Sequence, residues 1–223
     1  MSLLDRAARF IDDVLLLPDD VRERVEDAER ALREGRAAEA EGALRAILAE
    51  RPSLLRARQG LTLALRARGD LEGARAITAV SRQLDPDEPE IALLSAQLAL
   101  EAGDVNAAVE EARDAARRAA KEGGAPFAAA CVIRARAERA RGRPDRAARE
   151  LRKALAADPD DPELRLELAE ALAVAGRGPS AAAALHGLDL AEVPAETAER
   201  LGEALAAALP DRTPACASRR SRP

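Results

Sequence analysis

A glycine followed at fixed distances by an alanine and a proline recurs along this chain, and that recurrence limits the fold more than any other feature. The stretch GDLEGARAITAVSRQLDP, from Gly69 to Pro86, places Ala74 five residues after its glycine and Pro86 seventeen after it. GRAAEAEGALRAILAERP (Gly35 to Pro52) and GRPDRAARELRKALAADP (Gly142 to Pro159) repeat the layout with Ala40 and Ala147. From Gly103 the chain keeps Ala108 but has Ala120 at the proline position, and from Gly176 it keeps Ala181. The five glycines are separated by 34, 34, 39 and 34 residues. A period of this size marks a stacked array, because one such unit cannot bury its apolar face alone.

Each unit reads as two helices. About four turns of helix-forming sequence precede each glycine, as in LLRARQGLTLALRAR ahead of Gly69. Glycine suits the left-handed residue that ends a helix, and the proline then stops the second helix. Pro89 and Pro162 stand where a first-turn proline belongs, next to acidic residues that favour a helix N-terminus. Composition agrees: the 48% of apolar residues are mostly Ala and Leu, with two Phe, one Met and no Trp or Tyr, which disfavours sheets. A small residue also recurs seven before the glycine: Ala28, Thr62, Ala96, Ala135 and Ala169. With the alanine five after it, this lets two antiparallel helices approach at the short end of the usual 8–10 Å. Leu44, Leu151 and Leu185, nine after their glycines, are then placed to wedge against the next unit.

A 34-residue helix-turn-helix with these small positions and a closing proline resembles the tetratricopeptide repeat, over about residues 19 to 188. The resemblance implies an all-α fold, a right-handed superhelix of stacked helix-turn-helix repeats. The organisation expected is an amphipathic capping helix in 1–18, five repeats in 19–189, a capping helix in 190–210 and a disordered tail in 211–223. The family's usual Trp is absent; Arg24, Arg58, Ala92, Cys131 and Arg165 occupy that position. Asp27, Arg134 and Glu138 stand at normally apolar sites, so hairpins one and four are expected to be rotated or less stable. The 39-residue interval adds five residues around KEGGAPF. These predict a longer second helix in repeat three and a Gly-Gly loop, with a longer connection near 120–126.

Chemistry is hard to find. The one histidine, His186, has no Cys, Asp or Glu at metal-ligand spacing around it, so a surface or packed imidazole is expected. Cys131 lies among Ala and Val and reads as a small buried hydrophobe, while Cys216 lies in the tail. The glycines end helices and do not follow strands, which excludes a phosphate-cradling loop. The expectation is therefore no enzyme, no cofactor and no metal. A formal charge of −5 gives no case for nucleic acid, and no stretch reaches the ~20 apolar residues of a membrane span. Two isolated cysteines and the charged N-terminus fit a reduced cytoplasm. The oligomeric state stays open.

The resemblance implies that the first helices line a groove holding a partner's extended peptide or helix. Helical phase puts Arg56, Gln59, Leu63 and Arg66 of repeat two there. Repeat three offers Glu90, Leu93, Gln97 and Glu101; repeat four Val132, Arg136 and Arg139; repeat five Glu163, Leu166 and Glu170. The partner-binding set is Arg56, Gln59, Leu63, Arg66, Leu93, Gln97, Arg136 and Arg139. The charges alternate from repeat to repeat and admit two readings. Either they pair between neighbouring helices, or they meet a partner of both signs. The lysines and asparagines with which some family members grip a C-terminal carboxylate are absent from these positions, so that activity does not carry over. The alternative role is a structural or self-associating module acting through its terminal helices.

Overall fold

A computed structural model describes residues 17–86, 88–120, 124–186, 188, 193 and 195–208. The expected N-terminal helix over 2–16, Gly123 and the tail over 211–223 lie outside the described residues. Eleven helices run through the described residues: α1 Asp19–Arg33, α2 Ala37–Glu50, α3 Leu55–Ala67, α4 Leu71–Leu84, α5 Pro89–Glu101, α6 Val105–Ala119, α7 Gly124–Ala140, α8 Pro144–Ala157, α9 Pro162–Val174, α10 Gly178–Ala184 and α11 Ala195–Ala208. Consecutive helices pack as antiparallel hairpins, α1/α2 through α9/α10, and the hairpins stack in a right-handed superhelix. No strand occurs among the described residues.

Each hairpin turns in the same way. Gly35, Gly69, Gly103, Gly142 and Gly176 have φ between +69° and +79°, a region that costs a residue with a Cβ and leaves glycine free. In each turn the glycine N–H donates to the carbonyl three residues back, and the next N–H donates to the carbonyl five back. Gly69 N to Arg66 O and Asp70 N to Leu65 O are both 2.9 Å. That pair of bonds satisfies the last carbonyls of the first helix. In two turns an aspartate then opens the second helix: Asp70 accepts from Gly73 N and Asp104 from Ala107 N.

The small residues are packing positions. Ala28, Thr62, Ala96, Ala135 and Ala169 are buried, as are Ala40, Ala74, Ala108, Ala147 and Ala181. Gly60 shows how close the helices come: a Cβ there would meet the Leu44 methyls at 3.2 Å. Two apolar cores result. One gathers Val25, Leu44, Ile47, Leu61 and Leu65 from repeats one and two and reaches Leu98 of α5. The other joins Cys131, Leu151, Leu164, Leu168 and Leu172 with Leu201 of α11. Between them α5, α6 and α7 meet through small residues, such as Ala92 with Ala115 and Ala130, or Ala96 with Ala112 and Ile133. Leu44 and Leu151 are fully buried, whereas Leu185 is only half-buried at the short α10.

One expectation needs correction. The five extra residues do not go mainly into the second helix of repeat three, which has 15 residues against 14 in α2, α4 and α8. They extend the first helix of repeat four, α7, to 17 residues against 13 in α3, α5 and α9. Gly124 opens α7 at φ +67°, and Pro126 falls in its first turn, where a missing N–H costs nothing. Hairpins one and four keep the common turn and the buried small residues. Asp27 faces solvent beside Arg30 at 2.8 Å. Glu138 is buried, and Arg141, Arg143 and Arg146 lie 3.6 to 4.0 Å from it, so the carboxylate enters the fold with compensating charge.

Arg58 takes the place of the family's Trp by a different device. It is 2% exposed and forms a buried ion pair with Asp85, 27 residues on, at the end of α4. Its Nη1 donates to the Pro52 carbonyl at 2.9 Å and its Nε to Ser81 Oγ at 3.2 Å. Arg165 likewise donates to the Pro159 carbonyl, 2.8 Å away. The arginine therefore ties the loop before its own helix, filling with hydrogen bonds a site an aromatic ring fills by area. Removing Asp85 alone would take the buried carboxylate away from a buried cation, a costly change.

Ala74 has no space around it, so Ala74→Leu must spread α3 from α4. The expected cost is about 1–3 kcal/mol, read from chemical denaturation. Unchanged stability would mean that this hairpin register is wrong.

Candidate partner-binding groove

The first helices α3, α5, α7 and α9 carry the sequence-predicted site residues, and the four arginines behave alike. Arg56 of α3 is held bidentately by Glu29 of α1, at 2.6 and 2.7 Å. Arg66 of α3 meets Glu101 of α5 at 2.9 Å from Nε. Arg136 of α7 is bound by Glu167 of α9, with Nε 3.1 Å from Oε1. Arg139 reaches Glu170, also on α9, at 2.7 Å. Every pair crosses from one repeat to its neighbour. Glu29 holds the Arg56 guanidinium above its usual pKa, as Glu167 does for Arg136, so neither gives up its charge. Between the two readings of the alternating charges, this geometry favours pairing. A partner carboxylate arriving at Arg56 and Arg66 would have to displace Glu29 and Glu101.

The neutral members of the set have a different environment. Gln59 and Leu63 of α3 face Glu90, Leu93, Leu94 and Gln97 of α5 across a depression of about 290 Å³. Leu63 is 43% exposed, well above what its apolar chain would adopt in a core. Leu93 and Leu94 are half-buried and form the floor, and the amides of Gln59 and Gln97 stand at the sides. Drug-sized ligands occupy about 300–1,000 Å³, so this depression fits a side chain or two of a larger partner. The structure thus brings Gln59, Leu63, Leu93 and Gln97 together. Arg136 and Arg139 lie two repeats on and do not share the depression. Val132 and Leu166 are half-buried beside them.

Sequence reasoning did not find the Arg58–Asp85 pair. Its signal was present as an arginine at the position of a large aromatic, followed 27 residues later by an aspartate before the closing proline. A second charged cluster, Arg82 with Glu111 at 2.5 Å and Asp114 at 3.1 Å, ties α4 to α6 on the opposite side of the array. Burial works against Asp114, yet Arg118 and Arg82 together hold its carboxyl below the usual range.

For the groups considered as chemical candidates, Cys131 is 1% exposed and burial pushes its thiol up to about 11. A thiol so placed stays protonated and out of reach. His186 is exposed at the end of the last hairpin. Among the described residues no three His, Cys, Asp or Glu side chains are grouped to hold a metal ion, and no helix is long and apolar enough to cross a membrane.

The tetratricopeptide repeat profile matches residues 31–98 and 138–209, more than half of the 223 residues. The chain belongs to the tetratricopeptide repeat family. No curated protein matches it in sequence. Solved structures share its fold. MamA from Desulfovibrio magneticus RS-1 is 16% identical with a TM-score of 0.63, covering 84% of this chain and 96% of that one. PilF of Pseudomonas aeruginosa is 15% identical with a TM-score of 0.69, over 85% and 89% of the two chains. A thermophilic TPR protein of Thermus thermophilus is 22% identical with a TM-score of 0.61, over 83% and 99%. At these identities the likeness concerns the fold alone. Proteins of this repeat family are generally non-catalytic, protein-interaction modules.

If the groove arginines serve mainly to tie neighbouring repeats, Arg56→Ala combined with Arg66→Ala should cost about 1 kcal/mol in all, given the small worth of exposed pairs. Denaturation at low and at high salt checks this, because salt should erase the difference. A loss above ~3 kcal/mol, or one insensitive to salt, would contradict the pairing account.

Proposed function

We propose that this chain is a non-enzymatic scaffold or adaptor that holds an extended peptide or a helix of a protein partner against its first helices. The observation that carries the proposal is the exposed Leu63 beside Leu93 and Leu94, with Gln59 and Gln97 at the sides. An apolar side chain entering this depression would leave water together with Leu63. Burying a leucine-sized side chain is worth about 1.5–3 kcal/mol. The glutamine amides can then donate to and accept from a peptide backbone, which fixes its direction while the apolar contact supplies affinity. The paired arginines contribute by fixing the spacing of α1, α3 and α5, so that the depression is formed before a partner arrives.

The proposal includes a protein or peptide partner in preference to nucleic acid, supported by the net charge of −5, and needs no cofactor. It includes a cytoplasmic setting, supported by a sequence with only two cysteines.

The test is selection of a random displayed peptide library on the full chain, followed by affinity measurement on the recovered peptides. Leu63→Ser should weaken them at least tenfold, while the melting temperature stays nearly constant because this side chain is 43% exposed and belongs to neither apolar core. Equal affinity for both proteins, or no recovered peptide at all, would remove the depression from the binding surface.

A further inference from the structure

The charges left over in the groove, once its ion pairs are drawn, indicate the chemistry of what it binds. Arg56, Arg66, Arg136 and Arg139 are each matched by a glutamate of the adjacent repeat. The matching is not complete in the other direction. Glu90, on the first turn of α5, is exposed and has no ion-pair partner among the described residues, and it lines the same depression as Leu63 and Leu93. Glu163 holds the corresponding position on α9, exposed and without a close ion pair of its own among the described residues, although near enough to Arg136 to help keep that guanidinium charged. These two carboxylates occupy the same place relative to their turns, thirteen residues before Gly103 and Gly176. Here the groove therefore presents negative charge beside an apolar floor.

We propose that the occupant is a basic, leucine-type segment of a protein partner: a large apolar side chain seated on Leu63, Leu93 and Leu94, with a Lys or Arg next to it meeting Glu90. This rests on the groove reading above and adds the sign of the partner. The argument is charge complementarity. An acidic partner would face Glu90 unscreened and would find every groove arginine already engaged, so it would have to break a two-point contact such as Arg56 with Glu29 to gain one. A basic partner breaks nothing. Like-charge contacts across an interface reject wrong partners more effectively than rim pairs add affinity, so the carboxylate acts mainly as a selectivity element. The depression supplies the apolar part that charge alone cannot, since a purely basic segment has nothing to place on the leucines.

The experiment reads composition as well as affinity. A random displayed library is passed over the full chain and, in parallel, over Leu63→Ser, Glu90→Gln and Glu72→Gln. Glu72 is exposed on α4, away from the groove, and controls for the change in net charge. The wild type should enrich peptides in which Lys or Arg adjoins Leu, Ile, Met or Phe. Glu90→Gln should reduce that enrichment at least fivefold and Glu72→Gln should not. A synthetic peptide of residues 211–223, which has four arginines and no large apolar side chain, should bind at least tenfold more weakly than the enriched peptides. Leucine-dependent peptides that are neutral or acidic would overturn the charge assignment and leave the groove reading standing. Recovery that is identical on wild type and Leu63→Ser would overturn both, and equal effects of Glu90→Gln and Glu72→Gln would reduce the preference to bulk charge. Equal binding of the 211–223 peptide and the enriched ones would also overturn the proposal, because the leucines would then add nothing.

Discussion

Everything in this structure depends on two backbones coming close enough to touch at a pair of small residues. Small residues such as Ala96 with Ala112, Ala99 with Ala108, and Ala135 with Ala147 pack together fully buried and leave no room for a larger side chain. The positive-φ glycine between them reverses the chain in the fewest residues. Once the hairpin has closed, its leucines point outwards to the neighbouring hairpin and the array must stack to bury them. The first helices then fall on one side by geometry alone, and a groove exists before any functional residue is chosen.

Charge does the remaining work, and it does so in two regimes. Where a site is dry, as at Arg58 and Asp85, an ion pair must bring enough hydrogen bonds to offset desolvation, and the Pro52 carbonyl and Ser81 hydroxyl provide them. Where the site is wet, as in the groove, pairs such as Arg139 with Glu170 add little stability and mainly choose the angle between adjacent repeats. Repeat three, where the array is held by alanines, has neither a large apolar core of its own nor an arginine at the Trp position. Its first helix is consequently free to offer Leu93, Leu94 and Gln97 to the surface.

The hairpin register was legible in the sequence because it depends on single positions: only glycine suits φ near +75°, and only a small residue fits the contact. The helical phase of Gln59, Leu63, Leu93 and Gln97 followed from the same register. The ion pairs were harder to read, since Arg56 could face a partner or Glu29 with equal local sequence, and the choice is made by the angle between repeats. Residue spacing does not encode that angle. The placement of the five-residue insertion failed for a related reason. Gly124 and Pro126 look like loop residues, yet both are tolerated in the first turn of a helix, so α7 begins where a connection was expected. Arg58 and Asp85 left only a faint trace, an arginine at the Trp position and an aspartate 27 residues on, because burial of both charges requires that the two helices already be docked.

In the proposed binding mode the leucines between α3 and α5, and not the arginines around them, form the contact surface. The most direct measurement is the methyl NMR spectrum of the full chain titrated with its best selected peptide. Shifts should concentrate on the methyls of Leu63, Leu93 and Leu94, with those of Val80 and Leu84 on the second-helix side unmoved. Shifts centred on Val80, Leu84 or the terminal helices, with Leu63 unaffected, would contradict this binding mode.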